Sequence, residues 1–325
     1  MSQCIEHSNI RSFADDTRIQ KSIKTIDDVR KLQIDMDNVA KWSIANNMQL
    51  HQNKTEFLQH CFSANARLLR ELPFVMYDQI YKTTERELIY PNEVVKDLGI
   101  TVCTDLSWTS HINIISERAR KASSWVLSVF KTRDHYTMLT LYKSLIRSHL
   151  EYCCLLWHPH NNIKDTQTLE GVQRTFTRKI LGYEDMSYWT RLKSLQLMSL
   201  QRRRERYIIL YMWKILHNLA PNDISITWNY NDRFGIQAHV PPIPKNKKAH
   251  NLYEHSLAVL GPKLWNLLPS PLTTLPTLDS FKASLSSFIT KIPDRPPTQG
   301  YPSSHNNSLL DWCKQSGWTA MARWP

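Results

Sequence analysis

No run of apolar residues in this 325-residue chain reaches the roughly 18 that a membrane-crossing helix needs. The strongest candidate, Tyr207 to Trp213, is stopped by Lys214 and preceded by Arg202, Arg203, Arg204 and Arg206. No membrane partner is expected. The opening Met1-Ser2-Gln3-Cys4-Ile5-Glu6-His7 has neither the positive block nor the apolar block of a signal peptide, so the expected location is intracellular, nuclear or cytoplasmic, and not secreted. Cysteine is sparse, with 6 residues, and in that setting these are free reduced thiols instead of a disulfide framework. There is no internal repeat and no low-complexity tract, which excludes a solenoid. The hydrophobic share of 42% and charged share of 22% are ordinary globular values and exclude a wholly disordered, collagenous or coiled-coil chain. At this length two or three domains and a sizeable core are available.

Acidic residues are in deficit. The chain carries 41 Lys and Arg against 29 Asp and Glu, a formal charge of +12, which suits a polyanionic partner. Residues 110–220 hold 18 Lys and Arg against 8 Asp and Glu, so +10 of the +12 lies in the middle third. That segment is the candidate nucleic-acid surface. Long helices with solvated cations give the same number, and charge alone does not separate the two.

The pattern along the chain predicts an α+β fold in four segments: 1–105, 106–220, 221–292 and 293–325. In the first, Ile26, Val29, Leu32, Met36, Val39 and Trp42 recur at helical spacing over Thr25 to Asn46, with Thr25 as N-cap and Asp27 and Asp28 in the first turn. Ile10 to Ile19, Glu56 to Phe62, Phe74 to Lys82, Glu87 to Tyr90 and Val94 to Val102 read as strands. The second segment is helical, with apolar stripes Ile112, Ile115, Ala119, Ala122, Val126 and Val129; Met138, Leu141, Tyr142, Leu145 and Ile146; Leu169, Val172, Phe176 and Ile180; and Tyr207, Leu210, Tyr211 and Ile215. Beyond it lie 13 of the 16 prolines. Leu264 to Leu268 and Phe281 to Ile292 are the candidate helices there, and 293–325 reads as a linker or disordered tail.

One motif carries chemistry, Phe13-Ala14-Asp15-Asp16 in a strand-like segment. At the tip of a β-hairpin, alternation would point one carboxylate inward and leave the other at the turn. Such carboxylates suit Mg²⁺, a hard cation that takes oxygen ligands. Two-metal phosphoryl transfer needs carboxylates from at least two places, so an isolated pair supplies half of the clamp, and by itself it reads as a solvated turn.

Phe13-Ala14-Asp15-Asp16, then Trp42-x3-Asn46-Asn47-Met48-Gln49-Leu50-x3-Lys54-Thr55-Glu56-Phe57, then Val95-Lys96-Asp97-Leu98-Gly99-Ile100, resemble in order and spacing the last palm motifs of non-LTR retrotransposon reverse transcriptases. The likeness continues through His111-Ile112, Leu141 to Tyr152, Trp157, Leu169-Glu170-x-Val172-Gln173-Arg174 and Ser199 to Arg206, which resemble the thumb and following region of the chicken-repeat and jockey groups. Lys263 to Pro269 and Ser280-Phe281-Lys282 resemble the C-terminal end of such polyproteins.

The resemblance implies a partial reverse-transcriptase palm over 1–105, a basic helical thumb over 106–220 and a small C-terminal region over 221–292. It implies that Asp15 and Asp16 are catalytic and metal-binding, holding Mg²⁺ in the complete enzyme. Lys54 falls where the family places a lysine near the leaving pyrophosphate, as a general acid; an exposed lysine before a strand is the equal alternative. Val95 to Ile100, with Lys96, would hold a primer end. The implied partners are an RNA template and a DNA primer, or their hybrid; the oligomeric state is unknown. The family's other metal-binding aspartate and its fingers lie upstream, and 14 residues precede Asp15 here, so the expectation is a truncated enzyme without polymerase activity alone. The alternative is a non-catalytic module that grips RNA or an RNA–DNA hybrid through the basic helices.

For that grip, Arg174, Arg178 and Lys179 stand away from most of the third apolar stripe, and Arg202, Arg203, Arg204 and Arg206 form the densest cationic run, with Tyr207 as a stacking platform. Cys153-Cys154-x3-His158-x-His160 has zinc-ligand chemistry but not zinc-site spacing, because Leu155, Leu156 and Trp157 between the pairs read as core. The 11 tryptophans are mostly core candidates.

Overall fold

The computed structural model describes residues 4–48, 50, 54–60, 74–77, 86–89, 91–159, 162–245, 247–292, 294 and 308–316. The chain divides into two compact units, Met1–Ser107 and Trp108–Pro325.

The first unit is mixed α and β. β1 (Asn9–Phe13) and β2 (Asp16–Gln20) form an antiparallel hairpin in which Ile10 faces Ile19 and Phe13 faces Asp16. α1 (Ile26–Ala45) begins where the sequence predicts. The Thr25 hydroxyl accepts from the Asp28 N–H at 3.3 Å and the Asp28 carboxylate accepts from the Thr25 N–H at 2.9 Å, a reciprocal cap that satisfies two otherwise orphaned donors. The buried face of α1 is Leu32, Asp35, Val39, Ala40 and Ser43, whereas Ile26 is exposed. Two polar residues therefore sit on the face that apolar spacing had assigned to Met36 and Trp42. The reason is local: the Asp35 carboxylate accepts the backbone N–H of Glu6 at 2.9 Å and of His7 at 3.1 Å, and the Ser43 hydroxyl donates to the Met48 carbonyl. A buried polar group is tolerated when bonded in this way.

β3 (Phe57–Leu58) pairs in parallel with β6 (Pro91–Asn92), β4 (Phe74–Tyr77) pairs antiparallel with β5 (Arg86–Ile89), and β7 (Val94–Asp97) forms a hairpin with β8 (Ile100–Cys103). The expected strand Val94 to Val102 is thus two strands folded back at Leu98-Gly99. The outer parts of the strands predicted around Phe62, Lys82 and Tyr90 lie outside the described residues.

The second unit starts with α2 (Thr109–Val129) and α3 (His135–Leu141), which runs through a π turn (Tyr142–Ile146) into α4 (Arg147–Glu151). α5 (Cys154–Trp157), α6 (Ile163–Thr177), α7 (Tyr188–Ser194) and α8 (Leu200–Leu216) come next. The π turn widens the helix by one residue and brings Tyr142, Ile146 and Leu150 inward, leaving Leu145 exposed. α2 packs chiefly on α6, with Ile112, Ile115, Ala119 and Val126 buried, and with Val129 exposed against expectation.

The remainder comprises a hairpin of β9 (Trp228–Asn231) and β10 (Gly235–Ala238), then α9 (Lys247–Glu254), α10 (Leu257–Trp265), α11 (Ser270–Thr273), α12 (Leu278–Lys291) and α13 (Leu309–Ser316). It is not separate from the helical segment. Ile208, Ile209, Met212 and Trp213 of α8 share one core with Leu260, Leu264 and Trp265 of α10, Phe281 and Leu285 of α12, and Leu309. Residue 220 is therefore not a boundary, because the apolar side of α8 is covered by α10 and α12. Nor are residues 308–316 a disordered tail: Leu309 and Cys313, one turn apart, are buried. Among the described residues no helix is long and apolar enough to cross a membrane.

Candidate functional site

The Asp15-Asp16 pair occupies a hairpin tip. Because Phe13 and Asp16 close the ladder, Ala14 and Asp15 are the two turn residues, and Ala14 takes a left-handed backbone with φ of 52°. That conformation is unfavourable for a non-glycine residue. It places Asp15 at the apex and Asp16 on the first rung beside it. Both aspartates are exposed, and Phe13 next to them is 67% exposed. The expectation that one would point inward is corrected: this is a two-stranded ribbon, and only Ile10 and Ile19 on it are even half-buried.

The ribbon meets the Val95-to-Ile100 motif at an ion pair between Arg18 on β2 and Asp97 on β7. Asp97 closes the β7–β8 hairpin against Ile100, so Leu98 and Gly99 form its turn, with φ of 45° and 83°. A two-residue turn with both central residues left-handed matches strand twist and favours glycine, which Gly99 supplies. Lys96 is exposed, opposite Thr101 on the ladder. Lys54 is exposed in a single turn just before β3.

Among the described residues no group of three His, Cys, Asp or Glu side chains converges as a metal site requires. Asp15 and Asp16 have the right donor chemistry for Mg²⁺ but form an incomplete set, so they fit one part of a two-ion clamp and not the whole.

In the helical unit the predicted cations separate into two groups. Arg174, Arg178 and Lys179, at the C-terminal end of α6 and just past it, are exposed. Buried Arg191 reaches across from α7 to donate to the Arg174 carbonyl at 3.1 Å and the Thr177 hydroxyl at 3.3 Å, satisfying the helix end. The Arg174 guanidinium lies 4.9 Å from the centre of the Tyr188 ring, and Arg178 Nε donates to the Glu184 carbonyl at 3.3 Å.

The arginine run on α8 is different and corrects the expectation. Arg202 is 1% exposed and Arg204 0%, so neither guanidinium is on the surface. Successive residues on a helix step by about 100°, so four nearly consecutive arginines cannot share one face. Since α5, α6, α10 and α12 all pack on α8, two of the four are driven inside. Arg204 Nε donates to His158 Nδ1 at 3.2 Å. Arg203 is half-buried in a two-pronged pair with Glu151, donating to Oε2 at 2.9 Å and to the Tyr207 hydroxyl at 2.7 Å. Arg206 donates to the Ser286 hydroxyl at 3.1 and 3.2 Å. Tyr207 is thereby part of an internal network instead of a free platform.

Sequence reasoning missed the buried carboxylates that face these arginines. Glu170 accepts from the Tyr188 hydroxyl at 2.5 Å and from the Gln201 N–H at 3.0 Å; burial raises its carboxyl above the ordinary range. Gln173 bridges the Tyr142 and Tyr188 hydroxyls at 2.7 and 2.8 Å. Both residues belong to the Leu169-Glu170-x-Val172-Gln173-Arg174 motif, whose polar members thus hold three helices together. Glu205 accepts the Leu309 N–H at 2.8 Å, and Asp294 accepts the Ser199 N–H at 2.6 Å. The sequence offered a signal for Glu170 alone, as an acidic residue beside the Leu169–Val172 stripe; Glu205 is masked by the arginines around it and Asp294 by the prolines on either side.

Of the Cys-His cluster, Cys153 is exposed with a left-handed φ of 52°, while Cys154 and His158 are buried. Burial pushes the Cys154 thiol up to about 12, so at neutral pH it is a thiol and not a thiolate. His160 lies outside the described residues.

Comparison of the chain with protein-family models, with curated proteins and with solved structures finds no match.

Proposed function

We propose that the chain is the closing palm and thumb portion of a non-LTR retrotransposon reverse transcriptase, and that on its own it binds nucleic acid without polymerising. The observation that carries this reading is the Asp15-Asp16 hairpin tip joined through Arg18 to Asp97 of the Val95-to-Ile100 hairpin. Two motifs far apart in sequence, both drawn from the same resemblance, thereby meet at one partly exposed ion pair.

In the complete enzyme Mg²⁺ would stabilise the attacking and leaving oxygens of nucleotidyl transfer. Asp15 and Asp16 present carboxylate oxygens to solvent at the turn, where a cation is reached without a desolvation cost. Arg18, engaged by Asp97, fixes the ribbon instead of competing for those oxygens. Lys96 on β7 gives the neighbouring hairpin a phosphate contact, and Arg174, Arg178 and Lys179 do the same on the helical unit. Two carboxylates do not complete the clamp, and a further acidic group must join them before any transfer step.

The second reading, a non-catalytic module for RNA or an RNA–DNA hybrid, is favoured by the exposed α6 cations alone. Primer extension on an RNA template with Mg²⁺ or Mn²⁺, run beside hybrid binding across a salt series, tests the binding that both readings share and the incorporation that neither expects of this chain alone. The expected result is salt-dependent binding with no incorporation. Incorporation that disappears in Asp15→Ala would make the chain a complete catalyst, and absence of hybrid binding at low salt would remove both readings.

A further inference from the structure

Three tryptophans of the helical unit, Trp157, Trp213 and Trp265, are 0–2% exposed. Trp125 on α2 is 56% exposed. It is not an isolated surface tryptophan. At about 100° per residue, Ile114, Arg118, Lys121, Trp125 and Val129 fall within one narrow arc of the helix. All five are exposed, and the arc lies well round the helix from Ile112, Ile115, Ala119 and Val126, which are buried. The stripe runs about 22 Å along the axis at 1.5 Å per residue. It carries an aromatic plane, two cations, an apolar residue at each end and no acid. Arg120 adds a third exposed cation on α2, and the one acidic side chain of the helix, Glu117, sits beside the stripe and is engaged by Lys121 at 2.7 Å.

A packing face for another protein is expected to be depleted of charge at its centre. Here the midpoint of the stripe is Lys121, a residue type depleted from such faces, with Glu117 paired beside it. Cations that reach phosphates, interleaved with an aromatic plane on which a base rests, are the elements of a single-strand site, where base–aromatic stacking supplies the affinity that charge does not. We infer that the solvent face of α2 is a binding track for single-stranded nucleic acid, with Trp125 as its stacking platform and Arg118 and Lys121 as its phosphate contacts. This rests on the nucleic-acid reading above and assigns to it residues outside the motifs and the α6 cations.

The test measures binding of a short single-stranded oligonucleotide and of a duplex of the same length by the full chain, across a salt series. Trp125→Ala is expected to weaken single-strand binding roughly 5- to 150-fold, the equivalent of about 1–3 kcal/mol for one stacked base, with the salt slope unchanged. Duplex binding, which offers no open base face, should be unaffected. Trp125→Phe should restore most of the loss, and Arg118→Ala should lower the salt slope by about one without removing the single-strand preference. Circular dichroism of each variant controls for folding. If the wild-type chain binds neither nucleic acid, the functional reading itself fails. If it binds and Trp125→Ala binds single strands equally well, or weakens both forms alike, the track is wrong and the parent reading stands. A Trp125→Ala variant whose only change is loss of self-association would likewise overturn it and assign the stripe to a second copy of the chain.

Discussion

Replacing Glu205 by glutamine is expected to stabilise the helical unit above neutral pH and to leave it unchanged in acid. Glu205 is fully buried on α8, where its carboxylate accepts the first backbone N–H of α13 at 2.8 Å. Burial pushes its carboxyl from 4.5 up to about 7, although the Arg202 charge, the Leu309 N–H and the Ser308 hydroxyl pull it the other way. An acid whose folded value is raised holds a proton that the unfolded chain has released. Its contribution is complete below about 4.5 and is lost as pH rises through about 7. At 1.36 kcal/mol per unit, that window is worth about 3 kcal/mol. Glutamine keeps the carbonyl acceptor for Leu309 and cannot ionise, so the difference between variant and wild type should grow from near zero at pH 4.5 to about 3 kcal/mol at pH 8. Taking the difference at each pH cancels the other titrating groups, including Asp294 and Glu170, whose carboxyls burial also raises. Urea unfolding followed by tryptophan fluorescence at half-unit pH intervals measures it. The competing possibility is that Glu205 is ionised throughout and balances buried Arg202. Removing one partner of such a pair costs about 3–5 kcal/mol. A variant that is less stable than wild type by that amount at every pH would refute the reasoning.

The salt slope of nucleic-acid binding should fall by about one for Arg178→Ala and stay unchanged for Arg203→Ala, which breaks the Glu151 pair and lowers stability instead; a binding series on both variants checks this. Asp35→Ala leaves the Glu6 and His7 N–H groups without their acceptor and should cost the first unit about 1–3 kcal/mol in denaturant unfolding. Burial raises the Asp35 carboxyl, but hydrogen bonds from the Ser8 hydroxyl and from Glu6 and His7 outweigh it and hold the group below its ordinary 3.8, so this contribution should persist at neutral pH and be lost only as pH falls below that value.

Those parts of the fold that rest on contacts within a few residues were legible in the sequence. Thr25 with Asp28 announces the start of α1, and Phe13 to Asp16 announces a tip, because capping and tight turns are decided by neighbours in the chain. The α6 cations were found for the same reason: a stripe of Leu169, Val172, Phe176 and Ile180 fixes which side Arg174 and Arg178 take. What was not legible depends on partners far along the chain. Arg202 and Arg204 look like surface residues by type, and only the packing of segments about 30 to 110 residues away, with Glu170 and His158 before them and Asp294 and Leu309 after, turns them inward. The same distance hides α13, whose Leu309 and Cys313 become core positions only when α8 is beside them. Trp125 was not singled out, because the tryptophans were read together as mostly core candidates, although its phase places it with Arg118.

Glu205 and Leu309 are 104 positions apart, and Phe281 and Leu285 fill the same core as Ile208 and Met212. During synthesis α8 therefore leaves the ribosome well before the residues that cover it. At about 5–20 residues per second its apolar side stays uncovered for several seconds, the interval in which such surfaces recruit chaperones or aggregate. A chain interrupted after α8 and before α10 would keep that side exposed permanently. Solubility of nested C-terminal truncations should accordingly fall in a step instead of declining gradually.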